Sequence, residues 1–149
     1  MKILISGGTG LVGTELGKCL VAKGHQLVVV SRNPEQSLLS TPFPHQALDW
    51  SDLDAHAEVL FPSLDAVINL AGAGIADRAW SPSYKKILVN SRLDSTHQLV
   101  EHSRKYGKNL KAFISTSAVG FYGDQGEQWL NEDSPQGTDF LAQLCGQWE

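Results

Sequence analysis

The run Gly7-Gly8-Thr9-Gly10-Leu11-Val12-Gly13 follows a short apolar stretch, Ile3 to Ser6, and leads into an amphipathic segment. Glycines spaced as Gly7-x-x-Gly10-x-x-Gly13 between a strand-like run and a helix-like one leave few folds available. Gly7 permits a sharp turn out of the strand, Gly10 lets backbone approach a diphosphate without a Cβ, and Gly13 lets the helix pack close to the sheet. The free amides and dipole of the new helix then face the anion. A helix end stabilises a nearby negative charge by only about 0.3 to 2 kcal/mol, so several amides and a second subsite for the adenosine must share the binding. We read Met1 to Gly13 as a strand, a glycine turn and a helix start. In this reading Gly7, Gly8, Thr9, Gly10, Leu11, Val12 and Gly13 hold the pyrophosphate of a dinucleotide.

The rest of the chain repeats this strand-then-helix alternation. Strand-like runs occur at Ile3 to Ser6, Gln26 to Ser31, around Gln46 to Leu48, at Ala66 to Leu70 and at Ala112 to Thr116. Most are short, apolar and rich in Val or Ile, as buried parallel strands are. With helical segments between them they predict a doubly wound α/β sheet in strand order 3-2-1-4-5. The first helix is expected from about Leu11 to Lys23, with Val12, Leu16, Cys19 and Leu20 on one face and Gly24 ending it. Another starts at Ser81-Pro82, with Ser81 as cap and Pro82 in the first turn. Its apolar side carries Tyr84, Ile87, Leu88, Leu99 and Val100. Three prolines make Pro34 to His45 read mostly as loop. Near the C-terminus, Phe140, Leu141, Leu144, Cys145 and Trp148 form an apolar stripe with no capping residue after it, and strand five would keep an open edge. The expectation is one domain over residues 1-149, the N-terminal part of a longer protein whose substrate-specific part lies beyond.

The chain has 149 residues, enough for one domain with a substantial core. Its 42% hydrophobic and 19% charged residues match a globular chain. A net charge of -4 with mixed signs gives no footprint for nucleic acid or an anionic membrane, and no apolar stretch approaches bilayer length. A cytoplasmic location is the default expectation. Cys19 and Cys145 are read as buried thiols rather than a disulfide, with Cys145 a small hydrophobe on its stripe. The histidines at 25, 45, 56, 97 and 102 lack metal-ligand spacing, so no metal is assigned.

The end of strand two discriminates between nicotinamide cofactors. An NAD site usually carries Asp or Glu there for the ribose 2′-hydroxyl, but this region reads Val30-Ser31-Arg32-Asn33. Arg32 would attract a 2′-phosphate through charge-assisted hydrogen bonds, and Ser31 and Asn33 could add donors, so NADP is expected over NAD.

Further segments carry a resemblance that spans the chain: Ser6 to Gly13, Asp65-Ala-Val-Ile-Asn-Leu-Ala-Gly72, Arg78-Ala-Trp80, Asn90-Ser-Arg92, Ser115 to Asp124, and Asn131-Glu-Asp-Ser-Pro135. In this order they resemble the extended short-chain dehydrogenase/reductase superfamily, of NAD-dependent epimerase/dehydratase type, and in particular its atypical YfcH-like branch. The resemblance implies a Rossmann-type dinucleotide-binding domain. It also implies that Asp49 contacts the adenine, that Leu70, Ala71 and Gly72 line the cofactor, and that Ser117 is the serine that hydrogen-bonds the reacting substrate oxygen. That superfamily's usual proton donor is a tyrosine followed four residues later by lysine. The resemblance to the atypical branch places Cys145 and Glu149 at those positions, and no Tyr-x-x-x-Lys occurs anywhere in the sequence. Tyr122 is the substitute candidate. Asp124, Glu127, Glu132 and Asp133 read as a solvated acidic loop, where the family's loop borders the substrate cleft.

The resulting expectation is an NADP-dependent oxidoreductase, or a sugar-nucleotide-epimerase-like protein, acting on a small hydroxyl or carbonyl substrate. The alternative is an NADP-binding sensor or interaction module that performs no chemistry. The resemblance also implies a homodimer through helices 83-105 and 139-149, which an exposed C-terminal apolar stripe would suit.

Overall fold

The computed structural model describes every residue from Met1 to Glu149. Five strands, β1 (Lys2–Ser6), β2 (Gln26–Val30), β3 (Gln46–Leu48), β4 (Ala66–Asn69) and β5 (Ala112–Ser115), form one parallel sheet in the order β3-β2-β1-β4-β5. The helices are α1 (Leu11–Ala22), α2 (Pro34–Ser40), α3 (Trp50–Leu60), α4 (Pro82–Tyr106) and α5 (Phe140–Trp148). Short 3-10 turns lie at Phe61–Ser63 and Val119–Tyr122. This is the expected doubly wound, Rossmann-type arrangement.

Side-chain alternation along the strands divides the core in two. Leu4, Val28, Val30 and Val67 pack against Leu53, Ala57 and Leu60 of α3, Phe61, Leu64 and Leu99 of α4. Ile3, Ile5, Leu27, Val29, Ala66 and Ile68 face the other way, against Phe43 and, on α1, Leu16, Leu20 and Val21. Strands buried on both faces carry apolar residues on both, which explains their continuous apolar runs, and their two buried polar residues, Ser6 and Asn69, hydrogen-bond each other at the strand ends. Helix starts follow local chemistry: Ser81 accepts a hydrogen bond from the Tyr84 amide, and Asp139 accepts from Leu141 and Ala142. Gly24, at φ +80°, ends α1 as expected.

Four sequence expectations need correction. Pro34 to His45 is not mostly loop, because Pro34–Ser40 forms α2. Asn33 accepts from the Gln36 amide and Pro34 takes the first helical turn, where its missing N–H costs nothing. On α1, Val12 and Cys19 are exposed rather than core-facing. The buried stripe instead runs through Gly13 and Gly17, where the absence of side chains lets the helix sit close to the backbone of the glycine turn and to Phe43. Strand β5 is not buried: it forms the sheet edge and all four of its residues are exposed. The α5 stripe, conversely, is not exposed. Leu144 packs with Tyr84 and Leu88 of α4, and Cys145 and Trp148 are buried. A dimer through helices 83-105 and 139-149 would therefore have to use their outer faces. No helix is long and apolar enough to cross a membrane.

Phe61 is the largest fully buried side chain and lies beneath α3, α4 and the sheet. Phe61→Ala should lower the unfolding free energy by about 3 to 5 kcal/mol in denaturant titration. A loss below about 1 kcal/mol would mean that this half of the core is not close-packed.

Candidate functional site

The glycine turn is built by close backbone approaches. Gly7 adopts φ +71°, and a Cβ there would lie 2.6 Å from the Leu70 carbonyl oxygen at the end of β4. A Cβ on Gly13 would lie 2.4 Å from the Gly7 carbonyl oxygen, so neither position admits a side chain without moving main chain. Gly8 is buried against Val29. Gly10 caps α1 without a side-chain bond, and the amides of Leu11, Val12 and Gly13 have no acceptor within the chain. These amides, at the positive end of a helix dipole, form a cradle that fits a diphosphate. The side chains of Leu11 and Val12 are exposed, so any contribution to that cradle is from main chain.

The turn opens onto a cleft of about 690 Å³, lined by Gly7, Thr9 and Gly10, by Ser31 and Arg32 after β2, and by Leu70, Ala71 and Gly72 after β4. It lies at the C-terminal ends of the strands, where β1 separates connections running in opposite directions, the usual ligand crevice of such sheets. Arg32 forms no ion pair within the chain. The Asn33 side-chain oxygen is committed to capping α2. Asp49 does not line the cleft. It caps α3, its Oδ1 accepting from the Asp52 amide at 2.7 Å and from the Ser51 hydroxyl at 2.8 Å. These bonds hold its carboxyl below the usual carboxylate range. Its neighbour Trp50 lines the cleft, together with Gln36 and Ser40 of α2 and Asn90, Asp94 and Gln98 of α4.

A buried polar network fixes this region. Asn69, fully buried, accepts from the Ser6 hydroxyl at 2.6 Å and donates to Thr96 of α4 at 2.7 Å and to Ser115 of β5 at 3.3 Å. The following loop is stapled to α4. The Ala73 amide donates to Ser91, Arg92 donates to the Ala73 carbonyl, and the Tyr84 hydroxyl donates to the Gly74 carbonyl. Arg92 also donates to the Leu88 carbonyl and lies 5.3 Å from the centre of the Trp148 ring. The segment Asn90-Ser-Arg92 thus anchors the loop that borders the cleft.

A second cleft, of about 520 Å³, is lined by Ser117, Val119, Phe121, Tyr122, Glu132 and Glu149. Ser117 follows Thr116, whose amide and hydroxyl both donate to the Asn69 carbonyl. Ser117 donates a hydrogen bond to the Glu149 carboxylate. Cys145, one turn earlier on α5, is buried, and that desolvation pushes its thiol above the ordinary range against the opposing pull of Arg92. It is therefore a poor nucleophile and a poor proton donor at neutral pH. The acidic loop residues Asp124, Glu127, Glu132 and Asp133 are solvent-exposed.

Residues 3–142 match the family model described as the NAD dependent epimerase/dehydratase family. The chain belongs to that family. Among this family's members, human epimerase family protein SDR39U1 is 34% identical over 152 residues, matching 100% of this chain and 48% of its own length. Epimerase family protein MT2273 of Mycobacterium tuberculosis is 36% identical, over 99% of this chain and 46% of its own length. The crystal structure of the human protein (isoform2) with NADPH superposes with TM-score 0.82 at 34% identity, covering 99% of this chain and 47% of that one. UDP-glucuronic acid 4-epimerase from Bacillus cereus, solved with UDP-glucuronic acid and NAD, gives TM-score 0.79 at 21% identity, a likeness of fold. The chain spans about half the length of the curated relatives it matches.

Within this epimerase/dehydratase domain, the structure adds residues that sequence reasoning missed. Gln36 and Ser40 escaped because their segment was read as loop; the Asn33-Pro34 cap was the available signal. Trp50 and Gln98 meet only through folding, the Gln98 amide donating to the Trp50 carbonyl at 3.0 Å. Glu149 registered only as the absence of lysine.

Asn69→Leu keeps the branched shape but leaves the buried Ser6 hydroxyl without its partner and removes the links to Thr96 and Ser115, and should cost about 1 to 3 kcal/mol by chemical denaturation. An unchanged midpoint would show that the network adds no net stability. Iodoacetamide at neutral pH should label Cys19 and spare Cys145 until urea is added, as read by peptide mass spectrometry. Equal labelling of both in the native chain would contradict the buried, protonated thiol.

Proposed function

We propose that this chain is the NADP(H)-binding domain of a cytoplasmic oxidoreductase or epimerase-like enzyme acting on a small hydroxyl or carbonyl substrate. The observation that carries the reading is the cleft itself: a diphosphate cradle of unpaired amides continuous with Ser31 and the unpaired Arg32, and no acidic residue at the end of β2. The human relative's crystal structure with NADPH supports the same choice of cofactor.

In this reading the amides of Leu11, Val12 and Gly13 hold the diphosphate, Arg32 and Ser31 the 2′-phosphate, and Leu70 to Gly72 the far wall. A bound nicotinamide supplies the capacity to accept or return a hydride. The protein supplies position: Ser117, on a strand end anchored through Thr116 to Asn69, offers a hydroxyl to the substrate oxygen, and Tyr122 lines the same cleft. Asp49 would meet the adenosine only through its second carboxylate oxygen, since Oδ1 serves the cap.

Fluorescence titration should show NADPH bound more tightly than NADH, and Arg32→Ala should weaken NADPH by about tenfold or more while leaving NADH nearly unchanged. Equal affinities in the parent chain, unaltered by Arg32→Ala, would overturn the NADP assignment. Binding without turnover of any carbonyl substrate would favour a nucleotide-responsive module, the reading that the inert Cys145 supports.

A further inference from the structure

We infer that Ser117 and Glu149 form a proton-transfer pair, with the Glu149 carboxylate taking, through the Ser117 hydroxyl, the proton released when a substrate alcohol is oxidised. This rests on the oxidoreductase reading above and names the proton acceptor of that same site. The geometry is direct, since the Ser117 hydroxyl donates to a Glu149 side-chain oxygen across the second cleft.

Both partners sit on fixed elements. Ser117 follows Thr116, which is anchored at the end of β5 to the Asn69 carbonyl of β4, and Glu149 continues α5, its amide donating to the Cys145 carbonyl at 3.0 Å. The last turn of α5 is held by buried Cys145 and by Trp148 beneath Arg92. Cys145 is buried with a thiol that resists ionisation, whereas Glu149 is exposed to the cleft and carries an oxygen able to take a proton. Of the two residues at the positions of the missing tyrosine and lysine, only Glu149 can do acid–base work.

The step balances. A nicotinamide bound in the neighbouring cleft would supply the hydride acceptor for the breaking carbinol C–H bond. The substrate O–H proton moves to Ser117 Oγ, the Ser117 proton moves to the Glu149 carboxylate, and the C–O bond becomes a carbonyl. Carbonyl reduction is the reverse, with Glu149 entering protonated. Ser117 touches the reacting oxygen and is the catalytic residue, while Glu149 acts through it and is a positioning residue. Two carboxylates, Glu132 and Glu149, and no basic side chain line the cleft, so the group presented there is an uncharged hydroxyl or carbonyl rather than a phosphate or carboxylate.

The test has two arms. In a Cys19→Ser background, Ser117→Cys places a reporter thiol against residue 149, and a neighbouring carboxylate disfavours its thiolate. Alkylation by iodoacetamide should be at least about threefold faster when Glu149→Gln is added. In the protein with Ser117 intact, Glu149→Gln should lower kcat for carbonyl reduction by about 10² to 10⁴, with KM and NADPH affinity within about twofold of the parent. Glu149→Asp should recover part of the loss. Equal alkylation rates, or full turnover in Glu149→Gln, would overturn the pair while leaving the oxidoreductase reading intact. A clear alkylation difference with no turnover in the parent protein would overturn that reading, and the proton transfer with it.

Discussion

The buried amide of Asn69 is the point at which sheet, helix and cleft are joined. One side chain accepts from β1, donates to β5 and donates to α4, at the level where the strands end and the cleft begins. Inside a protein such bonds are strong, and an unsatisfied member is costly, so the four groups hold one arrangement rather than several. Everything functional is referred to it. The Ala71 amide turns back to the Asn69 oxygen, and Thr116, next to Ser117, hangs from the Asn69 carbonyl. The wall of one cleft and the serine of the other are thereby fixed to the same residue.

Much of this was legible from residues alone where local chemistry decides the outcome. The glycine spacing, the Ser81-Pro82 cap and the apolar runs of β1, β2 and β4 read correctly because backbone sterics, capping and two-sided burial are properties of short segments. Errors arose where packing between distant segments decides. Val12 and Cys19 lie on a helical face that looks apolar in sequence, yet both are exposed, and α1 packs through Leu16, Leu20 and Val21, with Gly13 against the glycine turn and Gly17 against the Phe43 ring. The inward turn of the α5 stripe depends on Tyr84 and Leu88, more than fifty residues earlier.

The candidate site divides in the same way. Main-chain contributors to the diphosphate cradle follow from the motif, and Arg32 from its place after β2. The pairing of Ser117 with Glu149 does not, because it depends on the angle at which α5 returns across the end of the sheet. Read as a departure from Tyr-x-x-x-Lys, Cys145 and Glu149 look like two losses. In three dimensions they differ: one is buried, and the other reaches the serine.

The close passage of Gly7 beneath the Leu70 carbonyl also bears on the order in which the molecule is assembled. The glycine turn precedes β4 in the chain, but the surface that shapes it arrives only with that strand, as the Ser6 to Asn69 separation of 63 residues shows. Contacts that close so long a loop form late, after the entropy of bringing distant chain together has been met. The most recognisable motif in the sequence thus depends for its shape on chain that follows it. It reaches its final shape only when the sheet closes around it, so cofactor capture reports on completion of the sheet rather than on the motif alone.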